Sequence, residues 1–378
     1  FMVASELKAI HEFGQTKQFQ PGSYYNSKLN KFTLYNNHLY HPILNNQKEI
    51  KEQIRKKFTY AVKKRLMSDR PIGCILSGGL DSTLTTAVVC QHYKEFTMNT
   101  YTIGLEGSVD LKYAKIASKY LKTNHHELIV TEQQFLDAID DTILQIESYC
   151  TTTVRASVGN YLISKYIAQL NKDKVIFCGD VADEIFGSYR GLGNAPDEQS
   201  FFCENLKLIE DIHFFDVLRS DKSISGAGLE ARVPFADKDF VQYVMSIKPS
   251  LKIFNKDTIE KLILRDSFED MLPIELLYRR KEAFSDGVSS MERGWYEIIQ
   301  EFTDKIYTDE EFDEKKIKYS HNQPYDKESL YYREIFEKYY PKQEETIPYF
   351  WKQPFSKNLD PSARLLKEYN ENNNEILH

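Results

Sequence analysis

The stretch Pro71–Ser82 reads PIGCILSGGLDS and predicts a buried strand, a tight turn and the start of a helix. The run Pro71–Leu76 is short and apolar, as a strand inside a sheet would be. Gly78 and Gly79 follow it, and paired glycines let a backbone turn sharply and approach a ligand closely. A helical pattern then continues through Gln91, so the stretch indicates a strand–turn–helix unit.

The turn of this unit carries groups that suit a phosphate. The free N–H groups at a helix N-terminus attract an anion, and Ser77 and Ser82 add hydroxyl donors. Asp81 places a carboxylate where Mg²⁺ could bridge phosphate oxygens. No lysine follows the glycines, so this is not the GxxxxGK(S/T) nucleotide loop. The hexapeptide in this context favours phosphate binding; the alternative is a tight turn in which Asp81 or Ser82 caps the helix.

Strands and helices alternate along the chain around this unit. The predicted strands are Met98–Ile103, His126–Val130 and Val175–Phe177, with shorter β-like pieces at Lys31–Tyr35 and His38–Tyr40. The predicted helices are Asp110–Leu121, Glu132–Glu147, Val158–Leu170 and one that begins near Gln47. This alternation indicates an α/β fold with a parallel sheet flanked by helices. From about Ala195 the chain reads as mainly helical, and the polar tail after Asn358 is expected to be loosely attached.

The composition excludes several classes of protein. The chain has 378 residues, and its formal charge of −7 argues against a large nucleic-acid footprint. No apolar run approaches the roughly 18–20 residues that span a bilayer. The five cysteines form no CxxC pair, which fits reduced thiols in a cytoplasmic protein. The sequence begins with Phe1 rather than Met, so a preceding segment is expected.

A second polar cluster, Cys178–Glu184, follows the strand Val175–Phe177 directly. If a helix begins near Val181, Asp183 and Glu184 lie on the same edge as Asp180. Three neighbouring acids repel one another unless a cation is present, so Mg²⁺ or an incoming ammonium is implied. Parallel sheets bind ligands at the carboxyl ends of their strands, where both clusters lie. The alternative is a helix start that is acidic only because the helix dipole favours it.

Basic residues are concentrated in the stretch Leu277–Gly287, which reads LYRRKEAFSDG. One buried cation there could neutralise charge on a transferring phosphate, whereas the alternative is a solvated basic loop. The stretch Thr151–Arg155 suits the anchoring of a carboxylate, or simply a helix cap. Arg219 and Arg232 could equally be partners in internal salt bridges.

Together these pieces resemble the glutamine-hydrolysing asparagine synthetases. The matching strings are KKRLMSDRPIGCILSGGLDST, TYTIGLEGS, TTTVRASVGNYLISKYI, GDVADEIFGSYRG, HFFDVLRSDKSISGAGLEARVPFADKDFV, RRKEAFSDGVSS and DPSARLL. SGGLDS itself looks like the pyrophosphate-binding loop of ATP pyrophosphatases, the adenine nucleotide alpha hydrolase-like fold. Phe1–Ile10 and Gln20–Tyr25 look like the last strands of the family's glutaminase domain. The resemblance thus implies a remnant of that domain with its linker in residues 1–46, and a synthetase domain in residues 47–378.

The resemblance implies that aspartate is converted to asparagine with ATP and Mg²⁺. The β-carboxylate attacks the α-phosphate of ATP, and ammonia then displaces AMP from β-aspartyl-AMP. The implied pyrophosphate loop comprises Ser77, Gly78, Gly79, Asp81 and Ser82, with Asp81 on Mg²⁺. The implied adenosine pocket comprises Ile75, Ile103, Cys178 and Gly179. Asp180 is implied in forming and capturing the adenylate. Asp183 is implied as a ligand of Mg²⁺ with Glu184 beside it, and Lys281 as a contact of the phosphates. The residues implied in positioning substrate or intermediate are Thr152, Thr153, Arg155, Asp216 and Arg219.

Two departures from the family pattern leave alternatives open. The family usually reads SGEG where Cys178–Val181 reads CGDV, so Asp180 is shorter by one methylene than the expected Glu. The catalytic N-terminal Cys of the glutaminase domain is absent from this sequence. A catalytically weakened regulatory homologue and a β-lactam-forming relative are therefore the rival hypotheses. The expected partners are aspartate and either ammonia or glutamine in the cytoplasm, with a possible homodimer but no nucleic acid or membrane.

Overall fold

A five-stranded parallel sheet forms the centre of the protein in a computed structural model that describes residues 2–35, 39–255 and 258–366. The strands are β1 (Ser23–Asn26), β2 (Lys31–Leu34), β3 (Ile72–Ile75), β4 (Asn99–Leu105), β5 (Asn124–Val130), β6 (Val175–Phe177) and β7 (Glu230–Arg232). The parallel sheet has the order β5-β4-β3-β6-β7, and β1 and β2 form a separate antiparallel hairpin. The predicted α/β fold is therefore confirmed.

Helices pack against the sheet and dominate the second half of the chain. They are α1 (Gln47–Lys63), α2 (Leu80–His92), α3 (Val109–Leu121), α4 (Glu132–Asp137), α5 (Ile139–Ile146), α6 (Thr151–Leu170), α7 (Ala182–Phe186), α8 (Glu198–Glu210), α9 (Asp216–Ser225), α10 (Lys238–Met245), α11 (Leu262–Asp266), α12 (Ile274–Leu277), α13 (Phe284–Gly287), α14 (Trp295–Ile306), α15 (Asp309–Lys316) and α16 (Lys327–Tyr339). Short 3-10 turns lie at Leu7–Ala9, His11–Phe13, Arg190–Asn194, Ile212–Phe214, Pro234–Ala236, Pro249–Leu251, Glu344–Thr346 and Ala363–Leu365. None of the helices in the described ranges is long and apolar enough to cross a membrane.

The order of the strands reverses between β3 and β6. The chain runs outward from β3 through β4 to β5, and then places β6 on the other side of β3. Loops diverge at such a reversal and leave a crevice at the carboxyl ends of the two strands. Ser77 follows β3 and Cys178 follows β6, so both loops singled out in the sequence meet at this crevice.

Two hydrophobic cores lie on opposite faces of the sheet. In β6, Val175 and Phe177 join the core that contains α1 and α2, whereas Ile176 joins the core that contains α5 and α6. A strand buried on both faces is apolar throughout, as β6 is. The apolar periodicity after Gln47 predicts one buried stripe, which comprises Ile50, Ile54, Phe58, Ala61, Val62 and Leu66. The first five are buried in α1, whereas Leu66 lies beyond the end of the helix and is partly buried. Each of the large side chains among them contributes roughly 1.5–3 kcal/mol when fully buried, which holds α1 in this core.

Two helices differ from their predicted bounds by more than one residue. The predicted helix Glu132–Glu147 is interrupted at Ala138, whose N–H donates to the carbonyl of Leu136 instead of the residue four positions earlier. The helix predicted from Val158 begins seven residues earlier, at Thr151. β-branched threonines have modest helix propensity, and the burial of this turn against the rest of the protein overrides it.

The prediction that the tail after Asn358 is loosely attached is wrong for residues 359–366. Asp360, Ser362 and Arg364 are all buried. Ser362 Oγ donates to Asp286 Oδ1 at 2.8 Å, and Arg364 donates to a backbone carbonyl at 2.6 Å. A polar segment can be buried when its hydrogen bonds are satisfied inside the protein, which the sequence pattern does not reveal.

The first 46 residues contain the hairpin and few other regular elements. The strand predicted at Lys31–Tyr35 is confirmed by β2. In the piece predicted at His38–Tyr40, His38 lies outside the described residues and the other two are not in a strand. The expectation of a strand within Phe1–Ile10 is wrong for residues 2–10, which instead form the 3-10 turn Leu7–Ala9.

Candidate active site

The loop Ser77–Ser82 leaves the sheet at the end of β3 and turns directly into α2. Gly78 has φ +71°, and a Cβ there would lie 2.3 Å from the carbonyl carbon of Tyr113, so the position requires glycine. The hydroxyl oxygens of Ser77 and Ser82 lie 3.1 Å apart, and Ser82 Oγ accepts from the Ser77 N–H at 3.2 Å. The loop is therefore held in one shape by its own hydroxyl groups.

The loop Cys178–Glu184 contacts the first loop through its backbone. A Cβ on Gly179 would lie 2.6 Å from the amide nitrogen of Ser82, so a larger residue would separate the two loops. Val181 has φ +78°, a left-handed conformation that is uncommon for a β-branched residue. This turn directs the chain into α7, whose first turn carries Asp183.

Two lysines join the aspartates of the two loops. Lys261 Nζ lies 2.5 Å from Asp81 Oδ2 and 2.5 Å from Asp183 Oδ1. Lys281 Nζ lies 2.5 Å from Asp183 Oδ2. Burial acts to raise the pKa of Asp183, but the charges of Lys261 and Lys281 outweigh it and hold that pKa well below its usual range. The cation that the acidic clusters were expected to need is thus supplied in part by the chain itself.

Arg265 and Arg279 hold the basic stretch against the first loop. Arg265 is buried and donates to the backbone carbonyls of Leu277 and, at 3.2 Å, Arg279. Arg279 donates to the Ser77 carbonyl at 3.1 Å and to Asp110 Oδ1 at 2.6 Å. The stretch is therefore built into the site and is not a solvated loop.

Asp180 is held by two residues of α9. Arg219 Nη2 donates to Asp180 Oδ1 at 3.1 Å and to Asp216 Oδ1 at 3.1 Å. Ser220 Oγ donates to Asp180 Oδ2. Both oxygens of Asp180 are therefore bonded, and the predicted residues Asp180, Asp216 and Arg219 form one connected group.

Glu184 lies behind this group and shares a hydroxyl with Asp216. The Tyr189 hydroxyl oxygen lies 2.7 Å from Glu184 Oε1 and 3.1 Å from Asp216 Oδ2. One hydroxyl donates only one hydrogen, so both contacts are hydrogen bonds only if one carboxyl group is protonated. Burial, reinforced by the charges of Asp216 and Asp183, raises the pKa of Glu184 well above its ordinary value. Glu184 is therefore easier to protonate than an ordinary glutamate.

Most of the predicted site residues line one cleft at this crevice. They are Ile75, Ser77, Gly79, Asp81, Ser82, Thr152, Cys178, Gly179, Asp180, Asp183, Glu184, Asp216, Arg219 and Lys281. The predicted residues outside its lining are Gly78, Ile103, Thr153 and Arg155. Gly78 acts through the shape of its loop, and Ile103 is buried in a hydrophobic core.

Arg155 is buried away from the cleft lining, at the centre of an ion-pair cluster. It donates to Glu328 Oε1 at 2.7 Å through Nε, and to Asp360 Oδ1 at 2.9 Å through Nη1. Its Nη2 donates to both carboxylates. The nearby Thr152 lines the cleft, and its hydroxyl donates to the carbonyl of Trp351 at 3.1 Å. The guanidinium of Arg155 thus already binds two carboxylates of the chain. Its predicted role toward substrate stays a prediction.

Asp81 and Asp183 also fit the implied magnesium ion. Asp81 Oδ1 is buried and has no hydrogen-bond partner among the described residues. A buried carboxylate oxygen without a donor is unfavourable, and a hard cation would satisfy it. Asp183 supplies a second carboxylate across the crevice, so the donor set is the all-oxygen type that Mg²⁺ prefers.

Comparison with known proteins identifies the family. The model of the asparagine synthase family matches residues 53–211 and 206–359. The chain belongs to the asparagine synthase family. It is 43% identical over 326 residues to the glutamine-hydrolysing asparagine synthetase of Gallus gallus, an alignment that covers 85% of this chain and 58% of that protein. A protein named as a probable asparagine synthetase of Acanthamoeba polyphaga mimivirus is 39% identical over 391 residues, covering 96% of this chain and 70% of its own length.

The match to this family is partial in length. The chain spans about 58% of the length of the Gallus gallus relative. Among solved structures, the NMN synthetase of Francisella tularensis aligns with a TM-score of 0.34 at 12% identity, covering 80% of this chain and 97% of that one. That similarity is too distant to bear on the activity of an asparagine synthase family member.

Lys261 is the site residue that sequence reasoning misses in this member of the asparagine synthase family. It lies 180 positions from Asp81 along the chain, in the unremarked stretch Glu260–Asp266, which reads EKLILRD. The available signal is a lysine at the start of an apolar helix, because a lysine that is buried in such a helix usually has an acidic partner. Its exposed fraction is 3%.

Proposed function

We propose that the chain converts aspartate to asparagine with ATP, through a β-aspartyl-AMP intermediate, and releases AMP and pyrophosphate. The observation that carries this proposal is the meeting of the Ser77–Ser82 loop with Asp183 and Lys281 at the carboxyl ends of β3 and β6. Membership of the asparagine synthase family supports the same reaction.

In the first step, a side-chain carboxylate oxygen of aspartate attacks the α-phosphorus of ATP. The bond from that phosphorus to the pyrophosphate oxygen breaks, and the leaving group gains negative charge. The loop Ser77–Ser82 would hold pyrophosphate through its N–H and hydroxyl groups. Lys281 would neutralise the phosphate charge, as preorganised cations do in transition states. Mg²⁺ held by Asp81 and Asp183 would supply further positive charge at the phosphate oxygens.

In the second step, the nitrogen of ammonia bonds to the acyl carbon, the bond from that carbon to the AMP phosphate oxygen breaks, and the nitrogen loses a proton to solvent. Asp180 is our candidate for guiding ammonia, because it lies at the cleft wall and is fixed by Arg219 and Ser220. Although its side chain is one methylene shorter than the family's usual Glu, both of its carboxylate oxygens accept hydrogen bonds from these two partners. Ile75 and the backbone of Cys178–Gly179 are assigned to adenosine, with Ile103 behind them.

The amino-acid substrate is assigned to the wall of the cleft formed by Thr152, Asp216 and Arg219. Asp216 and Arg219 offer opposite charges to the α-ammonium and α-carboxylate groups of aspartate. Thr153, Glu184 and Arg155 would support this wall from behind, as positioning residues. We assign residues 1–46 to the end of a glutaminase domain and its linker, and residues 47–378 to the synthetase domain.

The cellular setting is part of the proposal. All five cysteines are free, which supports a reducing compartment such as the cytoplasm. The proposed nitrogen donor is ammonia, which would come from glutamine if the full-length protein carries a glutaminase domain. Cys74 cannot serve as a glutaminase nucleophile, because burial raises the pKa of its thiol well above the usual value and leaves it un-ionised.

The test is pyrophosphate release from ATP that depends on added aspartate, followed by measurement of asparagine with ammonium chloride or with glutamine. Asp81→Asn should lower the aspartate-dependent rate roughly 10²–10³-fold, because it weakens the charge that holds the metal and phosphates. Asparagine is expected from ammonium chloride and not from glutamine.

Three results would decide against the proposal. ATP binding without turnover would favour a regulatory homologue. Turnover with an amino acid that closes an amide within its own molecule, but not with aspartate and ammonia, would favour a β-lactam-forming enzyme. Full activity of the folded Asp81→Asn protein would show that the metal and phosphates are held elsewhere.

A further inference from the structure

Lys261 occupies the place between the two carboxylates of the candidate magnesium site. Its ammonium group contacts Asp81 Oδ2 and Asp183 Oδ1, both at 2.5 Å, and its exposed fraction is only 3%. Lys281 contacts the other oxygen of Asp183 at 2.5 Å. Three of the four carboxylate oxygens therefore already accept from an ammonium group.

The fourth oxygen, Asp81 Oδ1, is the point at which a metal ion could bind without displacing a lysine. It is buried and lacks a hydrogen-bond partner within the described part of the chain. An ion bound there would lie close to the ammonium group of Lys261, because both would contact the same carboxylate. Repulsion between like charges is stronger in a partly buried site than in water, so a free divalent cation should bind poorly.

A bound nucleotide would change this balance. The triphosphate brings several negative charges, to which Lys261 and Lys281 can both turn. Lys261 carries its charge at the end of a flexible four-carbon stem, so its ammonium group can move to a phosphate oxygen without a shift of the backbone. Asp81 and Asp183 are then free to hold the metal.

We propose that Lys261 keeps free divalent cations out of the Asp81–Asp183 pair until a nucleotide arrives, so that metal and nucleotide bind as one unit. The proposal rests on the proposed function in taking an ATP–metal complex as the ligand. By linkage, the nucleotide raises the affinity for the metal by the same factor as the metal raises the affinity for the nucleotide. Lys261 is in this view a positioning residue for the metal rather than a group that reacts.

The test is a titration of the nucleotide-free protein with Mn²⁺, which stands in for Mg²⁺ and is followed by electron paramagnetic resonance. Lys261→Met should bind free Mn²⁺ at least about 10-fold more tightly than the wild type, because one positive charge leaves the site. Lys261→Arg keeps the charge and should bind Mn²⁺ as the wild type does. Adding Asp81→Asn to Lys261→Met should remove the gained affinity.

Lys222→Met is the matched control. Lys222 is also a buried lysine that bridges two carboxylates, those of Glu6 and Glu147, and Lys8 remains to pair with both after the change. It should leave the affinity for Mn²⁺ unchanged. If it binds Mn²⁺ as tightly as Lys261→Met does, or if Lys261→Met shows no gain, the proposal is wrong.

Folding and activity are measured separately. Circular dichroism establishes that each variant is folded, and Lys261→Gln replaces Lys261→Met if the latter is unfolded. Aspartate-dependent pyrophosphate release by the wild type tests the proposed function by itself. A wild type without this activity but with the expected Mn²⁺ results would overturn the proposed reaction and leave the role of Lys261 standing.

Discussion

Lys252 is a buried lysine without a carboxylate partner among its described contacts, and it supports α7, the helix that carries two acidic residues of the site. Its exposed fraction is 3%, and its Nζ donates to the Ile185 carbonyl at 3.1 Å and to Asn205 Oδ1 at 2.6 Å. Ile185 belongs to α7, which also carries Asp183 and Glu184. Burial lowers the pKa of Lys252 to about 7.

This lowered pKa predicts that Lys252 makes the protein more stable as the pH rises above 7. Between that value and the ordinary pKa of 10.5, the unfolded chain binds a proton at Lys252 that the folded chain does not. The free energy of unfolding should therefore gain up to about 1.4 kcal/mol per pH unit from this residue between pH 8 and 10. Urea unfolding of the wild type and Lys252→Met across this range measures the contribution as a difference in slope.

The control for this prediction is Lys238→Met, which removes an exposed lysine. Its unfolding free energy should follow the wild type at every pH. Equal slopes for the wild type and Lys252→Met would mean that Lys252 keeps its proton in the folded protein.

At the scale of elements, Arg155 joins α6 to α16 and to the final described segment of the chain. Its partners Glu328 and Asp360 come from those two parts, at distances of 2.5–2.9 Å. Burial, only partly offset by Arg155, raises the pKa of Glu328 to about 7. The cluster therefore depends on the arginine, because two carboxylates would otherwise be buried without a counter-ion.

Arg155→Met should lower the free energy of unfolding by about 3–5 kcal/mol, since it leaves a buried charge uncompensated. Urea denaturation at pH 7 measures the loss. The matched control is Lys165→Met on the same helix, where the exposed ion pair with Asp141 at 3.9 Å should contribute less than about 1 kcal/mol.

A different outcome would support the predicted role of Arg155 in positioning substrate. If Arg155→Met retains the stability of the wild type and raises the KM for aspartate, the guanidinium contacts substrate during turnover. If the free energy of unfolding falls and the protein that stays folded has an unchanged KM for aspartate, Arg155 has a structural role only.

At the scale of the whole molecule, residues 6–16 are attached to the rest of the chain at two points. Glu147 accepts from the backbone N–H groups of Leu7 at 2.9 Å and Lys8 at 2.8 Å. Gln343 accepts from the N–H of Thr16 at 3.0 Å and donates to the Gly14 carbonyl at 2.9 Å. Both attachments are made by buried side chains, so this segment packs as part of the folded body.

Gln343→Leu should release the second attachment and leave the sheet intact. Hydrogen exchange should become faster for the peptide that contains residues 11–16, because the amide of Thr16 loses its acceptor. Peptides that contain β3 and β6 should be unaffected. Gln323→Leu, at an exposed glutamine, is the matched control; the same acceleration in that variant would show that the effect does not come from the attachment.

The sequence by itself determined the central unit of the fold and the two loops that meet there. Gly78 and Gly179 are needed for local backbone shape and close approach, and such local requirements appear directly in a sequence. The alternation of strands and helices likewise comes from neighbouring residues, which is why β3, β4 and β6 could be predicted. The carboxyl ends of parallel strands then bring Asp81 and Asp183 to one crevice.

Only the tertiary structure decided which charges meet. Lys261 lies 180 positions from Asp81, and Arg155 lies 205 positions from Asp360, so no local pattern links them. The polar segment around Asp360 looked loosely attached, because its buried partners come from distant parts of the chain. A charged side chain is stable in the interior only with a partner, and that partner is chosen by the packing of the whole chain rather than by its neighbours in sequence.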